Sequence, residues 1–436
     1  MNKRQIIILG IIFALLLFTS IIKKIITKPK IEEEEYLPLN ISLEAEKVYK
    51  IVIRKPKSKT LILKRKDKDW IVFLDWQTQA NKKKIERLIK EISLLKGELR
   101  SRSKEVFPDY GISDEEAIQL SFFDKEEKKI EEILVGIKKL AWNKCFVRKR
   151  DSSSVYLVEK NIFGLLGIYG SPQESELKID NWVERKILNF EVDKIDSIKV
   201  VKKEKNKSFV TLTLKRVEEK KRKRWITEEE IPFGLDAGKI KNHLKRLKNL
   251  YALRVIEPDK EYGFDDPYLV LTLEEEGKII KLLVADYANK EREERYIKNP
   301  KGYLFIISKY TLKEIDVDVS KFFVNNPLKI DEKKINRLIV KTLRKKVELE
   351  KEKIKKNKDY LEKLKKFRVE KLAKNKRLKI PTPYYLEITY TDKSPLTLYV
   401  RKEDGNWFAK LKDYPQVFII NQDTFKNIFE DVNKIK

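Results

Sequence analysis

FVRKRDSSSVYLV, residues 146–158, has the pattern of a β-hairpin, because two short runs that alternate apolar and polar residues flank a basic, serine-rich turn. The same plan returns in YIKNPKGYLFII (residues 296–307) and in FAKLKDYPQVFII (residues 408–420). A plan that returns at long intervals indicates an internal repeat, in which each copy is one supersecondary unit. The fold is therefore best predicted from the sequence around each hairpin.

The residues before the first hairpin predict a complete unit. Residues 48–72 alternate around the turn Lys55-Pro56-Lys57-Ser58, which is typical of paired strands. Residues 80–95 change to a helical period that ends before Gly97. The turn at Tyr110-Gly111 and further strand patterns at residues 117–123 and 128–136 then lead into the hairpin. The predicted unit is a hairpin, a helix and a meander.

The same order occurs twice more. In the second copy residues 195–216 and Trp225 match the first hairpin, residues 237–253 match the helix, and Tyr262-Gly263 matches Tyr110-Gly111. In the third copy the hairpin is predicted at residues 335–353, the helix at 359–375 and the next strand at 381–393. We therefore predict an α+β fold of three tandem hairpin-helix-meander repeats with antiparallel sheets, at residues 44–180, 181–327 and 328–436.

Aromatic residues give this prediction a specific form. If the first two copies superpose, Tyr110 corresponds to Tyr262 and Phe146 corresponds to Tyr296. The third copy lacks the Tyr-Gly pair, so the turn before its meander must be built differently. Recurrence at equivalent positions of a repeat favours a packing role for these aromatic residues over ligand stacking.

An apolar run without charge, IIILGIIFALLLFTSII, begins at Ile6 and ends at Ile22. As a helix it would be about 26 Å long, and flanking lysines that snorkel would let it cross a hydrocarbon core of about 30 Å. A retained single-span anchor (residues 1–30) is favoured over a cleaved signal peptide, because Ile-Ile-Lys-Lys follows where a cleavage site needs small residues. Residues 31–43 form an acidic juxtamembrane linker, and lysines at both ends leave the orientation undecided by charge.

The residue types that carry most enzyme chemistry are scarce. The chain has one cysteine, Cys145, and one histidine, His243, which excludes an internal disulfide and a zinc site of the usual Cys/His type. His243 is interpreted as a surface or boundary residue, and the acidic groups Asp265-Asp266 and Glu274-Glu275-Glu276 as solvated turns. The sequence therefore predicts no catalytic, cofactor-binding or metal-binding residue.

Charge is the remaining indication of function. The chain has a net charge of +29, and residues 331–380 hold 21 Lys/Arg against 8 Asp/Glu, an excess of 13. Such an excess fits an acidic partner such as anionic lipid headgroups or an envelope polymer. Nucleic acid is a weaker fit, because no recognised module and no interleaved aromatic residues are present. The candidate contacts are four lysines, Lys363, Lys365, Lys366 and Lys371.

A structural role for these lysines is the alternative. In that interpretation they keep a long helix soluble while its apolar stripe packs on the third sheet. The stripe consists of Leu361, Leu364, Phe367 and Leu372.

The chain resembles the family of domain of unknown function 4340. The resemblance rests on an N-terminal span and on the motifs Lys68-Asp69-Trp70-Ile71-Val72, Ala80 at the helix start, Tyr110-Gly111-Ile112, Phe146-Val147-Arg148, Val155-Tyr156-Leu157-Val158, and the stretch from Asp180 through Trp182 to Lys186. Members of that family look like membrane-anchored extracytoplasmic proteins, often encoded beside ABC-type transporters similar to gliding-motility systems, and the family has no assigned activity. The resemblance therefore implies an accessory role and a body that faces outward. The resemblance covers most of residues 1–320, and the third copy departs from it.

Together these features predict a non-enzymatic, single-pass membrane protein whose body lies outside the cytoplasm and which acts as an accessory or scaffold subunit of a membrane complex. Tandem copies of a small unit give several partner-facing edges instead of one pocket. A polyanion-binding module is the alternative function, and an envelope hydrolase is a third.

Overall fold

The computed structural model describes residues 15–19, 36–138, 140–141, 143–204, 207–219, 222–231, 233–258, 260–324, 327–373 and 376–434. The chain divides into two compact units, Met1–Val183 (unit 1) and Glu184–Lys436 (unit 2). The predicted anchor lies outside the described residues, apart from a five-residue helical stretch at 15–19. Within the ranges given above, none of the helices has both the length and the hydropathy that crossing a membrane requires.

Unit 1 contains an antiparallel sheet of ten strands, called here the first sheet. Its strands are β1 (Tyr36–Pro38), β2 (Lys50–Arg54), β3 (Leu61–Lys66), β4 (Asp69–Phe73), β5 (Gln77–Ala80), β6 (Lys96–Ser101), β7 (Ile118–Phe123), β8 (Lys129–Val135), β9 (Cys145–Lys149) and β10 (Val155–Val158). Their spatial order is β1-β6-β10-β9-β8-β7-β2-β3-β4-β5. The central strand β2 buries three consecutive residues, as expected for a strand covered on both faces.

Unit 2 contains two further antiparallel sheets. The second sheet is formed by β11 (Ile195–Glu204), β12 (Lys207–Glu219), β13 (Arg222–Thr227), β14 (Arg254–Val255), β15 (Leu269–Glu275), β16 (Lys278–Tyr287), β17 (Glu294–Lys298) and β18 (Leu304–Ser308). The third sheet is formed by β19 (Ile335–Lys341), β20 (Lys346–Glu350), β21 (Val369–Leu372), β22 (Tyr384–Tyr390), β23 (Leu396–Glu403), β24 (Asn406–Leu411) and β25 (Val417–Ile420).

The helices are short. The α-helices are α1 (Lys82–Ser93), α2 (Phe107–Tyr110), α3 (Ile162–Leu165), α4 (Ala237–Lys248), α5 (Lys309–Ile315), α6 (Lys351–Lys356), α7 (Lys358–Lys365) and α8 (Gln422–Phe425). A π-helical stretch, Lys426–Glu430, follows α8. The 3-10 helices are Lys104–Val106, Ile179–Asn181, Val192–Lys194, Val319–Phe322, Glu332–Lys334 and Asp431–Lys434.

One helix in each sheet region follows the first strands and packs by an apolar stripe. The α1 helix is capped by Asn81, whose side chain accepts a hydrogen bond from the Lys84 backbone N–H at 3.1 Å. The buried residues of α1 and of α4 have the same spacing of i, i+3, i+4 and i+7, which places them on one helix face. Those residues are Ile85, Leu88, Ile89 and Ile92 in α1, and Ile240, His243, Leu244 and Leu247 in α4.

The three sheets share one strand order. From the strand after the helix, the order is β6-β10-β9-β8-β7-β2-β3-β4 in the first sheet, β14-β18-β17-β16-β15-β11-β12-β13 in the second and β21-β25-β24-β23-β22-β19-β20 in the third. Each sheet contains a four-strand meander and a hairpin. The first strand of the meander pairs with the first strand of the hairpin, as β7 with β2, β15 with β11 and β22 with β19. The predicted α+β class with antiparallel sheets is confirmed.

The predicted aromatic partners are in contact within each of the first two sheets. The ring centroids of Tyr110 and Phe146 lie 4.3 Å apart at an interplanar angle of 44°. The rings of Tyr262 and Tyr296 lie 4.4 Å apart at 49°. Both tyrosines precede a glycine with positive φ, 59° at Gly111 and 78° at Gly263, a conformation that disfavours side chains.

The prediction of a helix over residues 359–375 was wrong for the second half of that range. The α7 helix ends at Lys365, and Val369–Leu372 instead forms β21, which pairs antiparallel with β25. Phe367 marks the break, because its buried ring packs edge-on against Phe418 of β25 at 6.0 Å and directs the chain along that strand. The predicted apolar stripe is therefore divided, with Leu372 on a strand.

Candidate functional site

The four lysines predicted to contact an anionic surface lie on two different elements. Lys363 and Lys365 are on α7, Lys366 follows the helix end, and Lys371 is in β21. Lys363 Nζ lies 2.6 Å from Asp431 Oδ2, and Lys365 Nζ lies 2.6 Å from Glu362 Oε1. The hydrogen bond to Glu362 raises the pKa of Lys365. Two of the four charges are therefore already compensated.

The other two lysines are exposed, and no ion pair to them is found in the part of the chain that the structure describes. Elsewhere in the basic segment, carboxylates from the rest of the third sheet pair with lysines: Lys334 with Asp392 at 2.7 Å and Lys376 with Glu403 at 2.6 Å. The excess charge is thus partly neutralised by acidic residues outside the segment. The cationic surface that remains is smaller than the sequence alone indicates.

Lys371 lies at a cleft of about 510 Å³ in unit 2. One wall comes from the second sheet region and the other from the third. Its lining includes Lys202, Thr211, Asp316, Lys371, Lys376 and Phe408. A volume in this range is typical of ligand-binding clefts, although both walls here carry charged side chains.

Side-chain hydrogen bonds hold the walls of this cleft. The Thr211 hydroxyl lies 3.3 Å from the carbonyl oxygen of Val200 and 3.2 Å from that of Val317. The Ser320 hydroxyl donates to the carbonyl oxygen of Glu370 at 2.9 Å, which ties the 3-10 helix Val319–Phe322 to the residue before Lys371. The cleft is therefore lined by backbone segments that are fixed to one another.

Ion pairs dominate the electrostatics of the cleft. Lys202 Nζ donates to Asp316 Oδ2 at 2.7 Å, and the Tyr268 hydroxyl lies 3.4 Å from the same oxygen. Burial lowers the pKa of Lys202, but the hydrogen bonds to Asp316 and Tyr268 outweigh it and the pKa is raised. Lys376 Nζ also lies 4.7 Å from the centroid of the Phe408 ring. Lys202 and Lys376 thus have partners, whereas the described residues provide no ion pair for Lys371.

The single cysteine is a core residue. Cys145 is buried in β9, and its Sγ lies 3.7 Å from the carbonyl oxygen of Lys160. Burial raises the pKa of the Cys145 thiol to about 12. Since the thiolate is the reactive form, Cys145 in this setting is a packing residue.

The single histidine was misplaced by the sequence analysis. His243 is 1% exposed, so it is neither a surface nor a boundary residue. Its ring packs edge-on against Phe322 at 5.2 Å, and Nδ1 lies 3.7 Å from Glu314 Oε2. Burial, followed by the charges of Lys321 and Arg246, lowers the pKa of His243 to about 3. The imidazole is therefore neutral at physiological pH.

The acidic groups lie in or beside turns and bind nearby lysines or polar groups. Asp266 is paired with Lys203, and Glu276 Oε2 lies 3.0 Å from Lys194 Nζ in the turn between β15 and β16. Glu274 accepts a hydrogen bond from the Ser197 hydroxyl at 3.1 Å. Among the described residues, no three His, Cys, Asp or Glu side chains are grouped to hold a metal ion.

Arg295 is a buried charged residue that was not predicted from the sequence. It directly precedes Tyr296, in the position that Cys145 holds before Phe146 and Trp407 holds before Phe408. An arginine at a position that is apolar in the other two hairpins was a visible signal. It was missed because arginine in a strongly basic chain is usually exposed.

Comparison with protein-family models gives one result. A model described as "Domain of unknown function (DUF4340)" matches residues 70–267 and, a second time, residues 225–384. The first match begins at Trp70 and the second at Trp225, the two tryptophans that occupy equivalent strands β4 and β13. Together the matches span more than half of the chain. No curated protein and no solved structure matches it.

Proposed function

The chain belongs to the DUF4340 family, and from this membership we propose that it is a non-enzymatic, membrane-anchored accessory or scaffold subunit of a membrane complex, associated with an ABC-type transporter. The observation that carries the proposal is the common strand order of the three sheets. Each sheet ends in edge strands that pair on one side only, and such strands are ready templates for a partner. Three sheets with the same strand order therefore present several edge strands to which a partner could bind.

The finer part of the proposal is that residues 44–180, 181–327 and 328–436 are three tandem repeats. The shared strand order supports it, as do the two tyrosine–aromatic contacts and the two family-model matches that start at equivalent tryptophans. The third copy has diverged most, because it has no tyrosine turn and carries the basic segment.

The proposed anchor is the apolar run from Ile6 to Ile22, with the body outside the cytoplasm. The length and lack of charge of that run support the anchor, and the family resemblance supports the side. Protease added to intact cells should digest the body and leave an N-terminal tag in the membrane. Full protection of the body would show that the proposed topology is wrong.

The edge strand β13 is the first partner surface to test. Among the described strands it pairs with β12 alone, and it carries exposed Lys223 and Arg224. Basic side chains on an edge disfavour pairing with a second copy of the same strand and favour an acidic partner. We therefore assign β13 to contact with another subunit.

The decisive measurement is co-purification of the full chain from native membranes. Transporter subunits should be recovered in stoichiometric amount with the wild type and lost with Lys223→Glu/Arg224→Glu. The matched control is Lys125→Glu/Lys128→Glu, which makes the same charge change at exposed residues of the turn between β7 and β8. Recovery of no transporter subunit with the wild type would contradict the proposed association.

Binding of an anionic lipid surface or envelope polymer is the second candidate function. The excess of 13 basic residues between 331 and 380 favours it, together with the exposed, unneutralised Lys366 and Lys371. The full chain in nanodiscs of neutral lipid should bind anionic vesicles, and binding should fall steeply as salt shortens the screening length from about 30 Å to about 8 Å.

The four lysines provide their own control. Lys366→Gln/Lys371→Gln should weaken vesicle binding by roughly fivefold for each lysine, as expected for unpaired cations near an anionic surface. Lys363→Gln/Lys365→Gln removes two lysines that already have carboxylate partners and should change binding much less. If neither pair alters binding at any salt concentration, these lysines only solubilise α7.

A further inference from the structure

Arg295 is a buried arginine for which the described part of the chain provides no counter-ion. It is 6% exposed, and its guanidinium carbon lies 3.7 Å from the ring centroid of Tyr268 and 3.7 Å from that of Tyr287. One terminal nitrogen donates to the carbonyl oxygen of Ala285 at 2.6 Å, while the buried Nε has no hydrogen-bond partner among the residues that the structure describes. No carboxylate among the described residues lies within ion-pair distance. An uncompensated buried charge is costly to a fold.

The fold itself does not require a charge at this position. Arg295 pairs with Ile307, Cys145 with Val158 and Trp407 with Ile420, so the three residues hold the same place in their hairpins. In the first and third sheets that place is filled by a buried cysteine or tryptophan. The cost of burying Arg295 therefore calls for an explanation outside the packing of the sheet.

A cleft of about 230 Å³ provides that explanation. It lies between the β16–β18 region and α5, and Arg295 is part of its lining. The charged residues around it are Arg292, Glu293, Arg295, Lys309, Lys313 and Asp316. Both acids are already neutralised, since Glu293 pairs with Lys309 and Asp316 pairs with Lys202.

Three cations at this cleft remain without a carboxylate partner among the residues that the structure describes: Arg292, Arg295 and Lys313. The Arg292 guanidinium lies 5.5 Å from the centroid of Tyr287, and Lys313 Nζ lies 5.9 Å from that of Tyr310. Tyr287 therefore contacts both arginines. The cleft combines a local positive charge with donors that are held in place by aromatic rings.

We propose that this cleft is a binding site for a phosphate group and that Arg295 is its principal ligand. The planar guanidinium matches two oxygens of a phosphate, and the two tyrosine rings fix its plane, so little conformational freedom is lost on binding. A phosphate monoester carries a charge of about −1.5 to −2 and balances several cations better than a single carboxylate does. The small volume suits a compact group.

This site goes beyond the proposed scaffold role and does not depend on it. The phosphate group has two sources with the same chemistry, free inorganic phosphate and the monoester headgroup of a phosphatidate lipid. A scaffold held at a membrane surface would encounter both. The experiment is arranged to separate them.

The test uses the full chain in nanodiscs of neutral lipid. Thermal unfolding and calorimetric titration with inorganic phosphate are compared with chloride at equal ionic strength, and binding to phosphatidate vesicles is compared with binding to phosphatidylglycerol vesicles. A ligand that binds only the folded state raises the Tm. We expect a phosphate-specific rise in the wild type, or selective binding of phosphatidate vesicles if the source is lipid. Arg295→Met should weaken the interaction roughly 10- to 100-fold.

Two further variants test the site by changing exposed residues, so that their effect does not depend on the packing of the core. Arg292→Gln/Lys313→Gln removes exposed cations at the rim and should weaken phosphate binding roughly tenfold without disturbing packing. Arg254→Gln is the matched control. Arg254 is an exposed arginine whose guanidinium lies 2.6 Å from the carboxylate of Glu294, the residue before Arg295. The Arg254→Gln variant should bind phosphate as the wild type does.

Three outcomes would overturn the proposal. One is a wild type that responds neither to phosphate beyond the chloride control nor to phosphatidate vesicles. Another is a response that survives in both Arg295→Met and the rim variant. The third is equal binding of phosphatidate and phosphatidylglycerol vesicles without any response to inorganic phosphate, because that pattern indicates general attraction to negative lipid.

Discussion

The second and third sheets fill one equivalent core position in opposite ways. In the third sheet Trp407 stacks on Phe425 with centroids 3.4 Å apart, contacts Tyr384 edge-on at 5.7 Å and donates its indole N–H to Gln422 at 2.8 Å. In the second sheet Arg295 lies against Tyr268 and Tyr287 and faces a cleft. The strand order is common to both, so the difference lies in side chains and in the following helix. One framework supports either a closed aromatic core or a charged recess.

The largest expected effect on the free energy of unfolding comes from removing the Trp407 ring. Trp407 is 8% exposed, and Trp407→Ala should lower the free energy of unfolding by about 3–5 kcal/mol, since it removes a large buried ring and leaves a cavity. Arg295→Met should cost less than half as much, because it also removes an uncompensated buried charge. Urea unfolding of the full chain, followed by circular dichroism, measures both. Equal losses would show that Arg295 is a packing residue like Trp407.

The helices of the two sheets differ in a similar way at a second position. His243 of α4 and Tyr360 of α7 precede buried leucines with the same spacing. The Tyr360 hydroxyl donates to the carbonyl oxygen of Ile428 at 2.6 Å, and burial raises its pKa. His243 Nδ1 is buried and has no hydrogen-bond partner in the described part of the chain, and burial lowers the pKa of His243. Of the two residues compared, His243 of α4 is therefore the buried group that titrates near neutral pH in the unfolded chain.

We expect this difference to appear as pH-dependent stability. The pKa of His243 is about 3 in the folded protein and 6.5 ordinarily, so below pH 6.5 the unfolded state binds the extra proton and stability falls. The loss is about 1.4 kcal/mol per pH unit, or about 2 kcal/mol at pH 5. Nearby Arg246 and Lys321 disfavour protonation, whereas Glu314 favours it.

His243→Gln removes the titrating group and should flatten the stability profile between pH 6.5 and pH 5. Urea unfolding at a series of pH values checks this, with Tyr360→Phe as the counterpart in the third sheet. Tyr360→Phe should lower stability by a constant amount, because its hydroxyl does not titrate in this range. A wild-type profile that is already flat would contradict the expected role of His243.

The smallest expected effect concerns the feature that the first and second sheets share. The contacts Tyr110–Phe146 and Tyr262–Tyr296 have nearly the same geometry. Double-mutant cycles with leucine at each position should give coupling energies of about 0.5–1.5 kcal/mol in both sheets. Coupling in only one of the two would weaken the correspondence on which the repeat proposal rests.

Local patterns in the sequence predicted much of the fold. The alternation of residues 48–72 and the helical period of residues 80–95 are periodicities of single elements, and the structure has strands and a helix there. The recurrence of Tyr-Gly located the turns of the first two copies. These features depend on neighbouring residues, so the sequence was sufficient to predict them.

Features that depend on distant residues were not predicted. The helical pattern of residues 359–375 was interrupted because β25 offers an edge with which Val369–Leu372 pairs. Lys363 was predicted as a candidate contact to an anionic surface, but it forms an ion pair with Asp431, 68 residues further along the chain. Arg295 lies between Glu294 and Tyr296 in sequence, and its burial comes from Tyr268 and Tyr287, which lie outside β17 in the chain.

The burial of Cys145 makes the native chain a natural background for site-directed labelling. Since the chain has no other cysteine and this thiol ionises only near pH 12, a maleimide should leave the folded protein unmodified. A cysteine introduced at any exposed position then becomes the sole site for a fluorophore or spin label, on either side of a membrane. The rate of any slow alkylation of Cys145 would report how often β9 separates from β8 and β10. Cys145 is therefore a native probe of local opening in the first sheet.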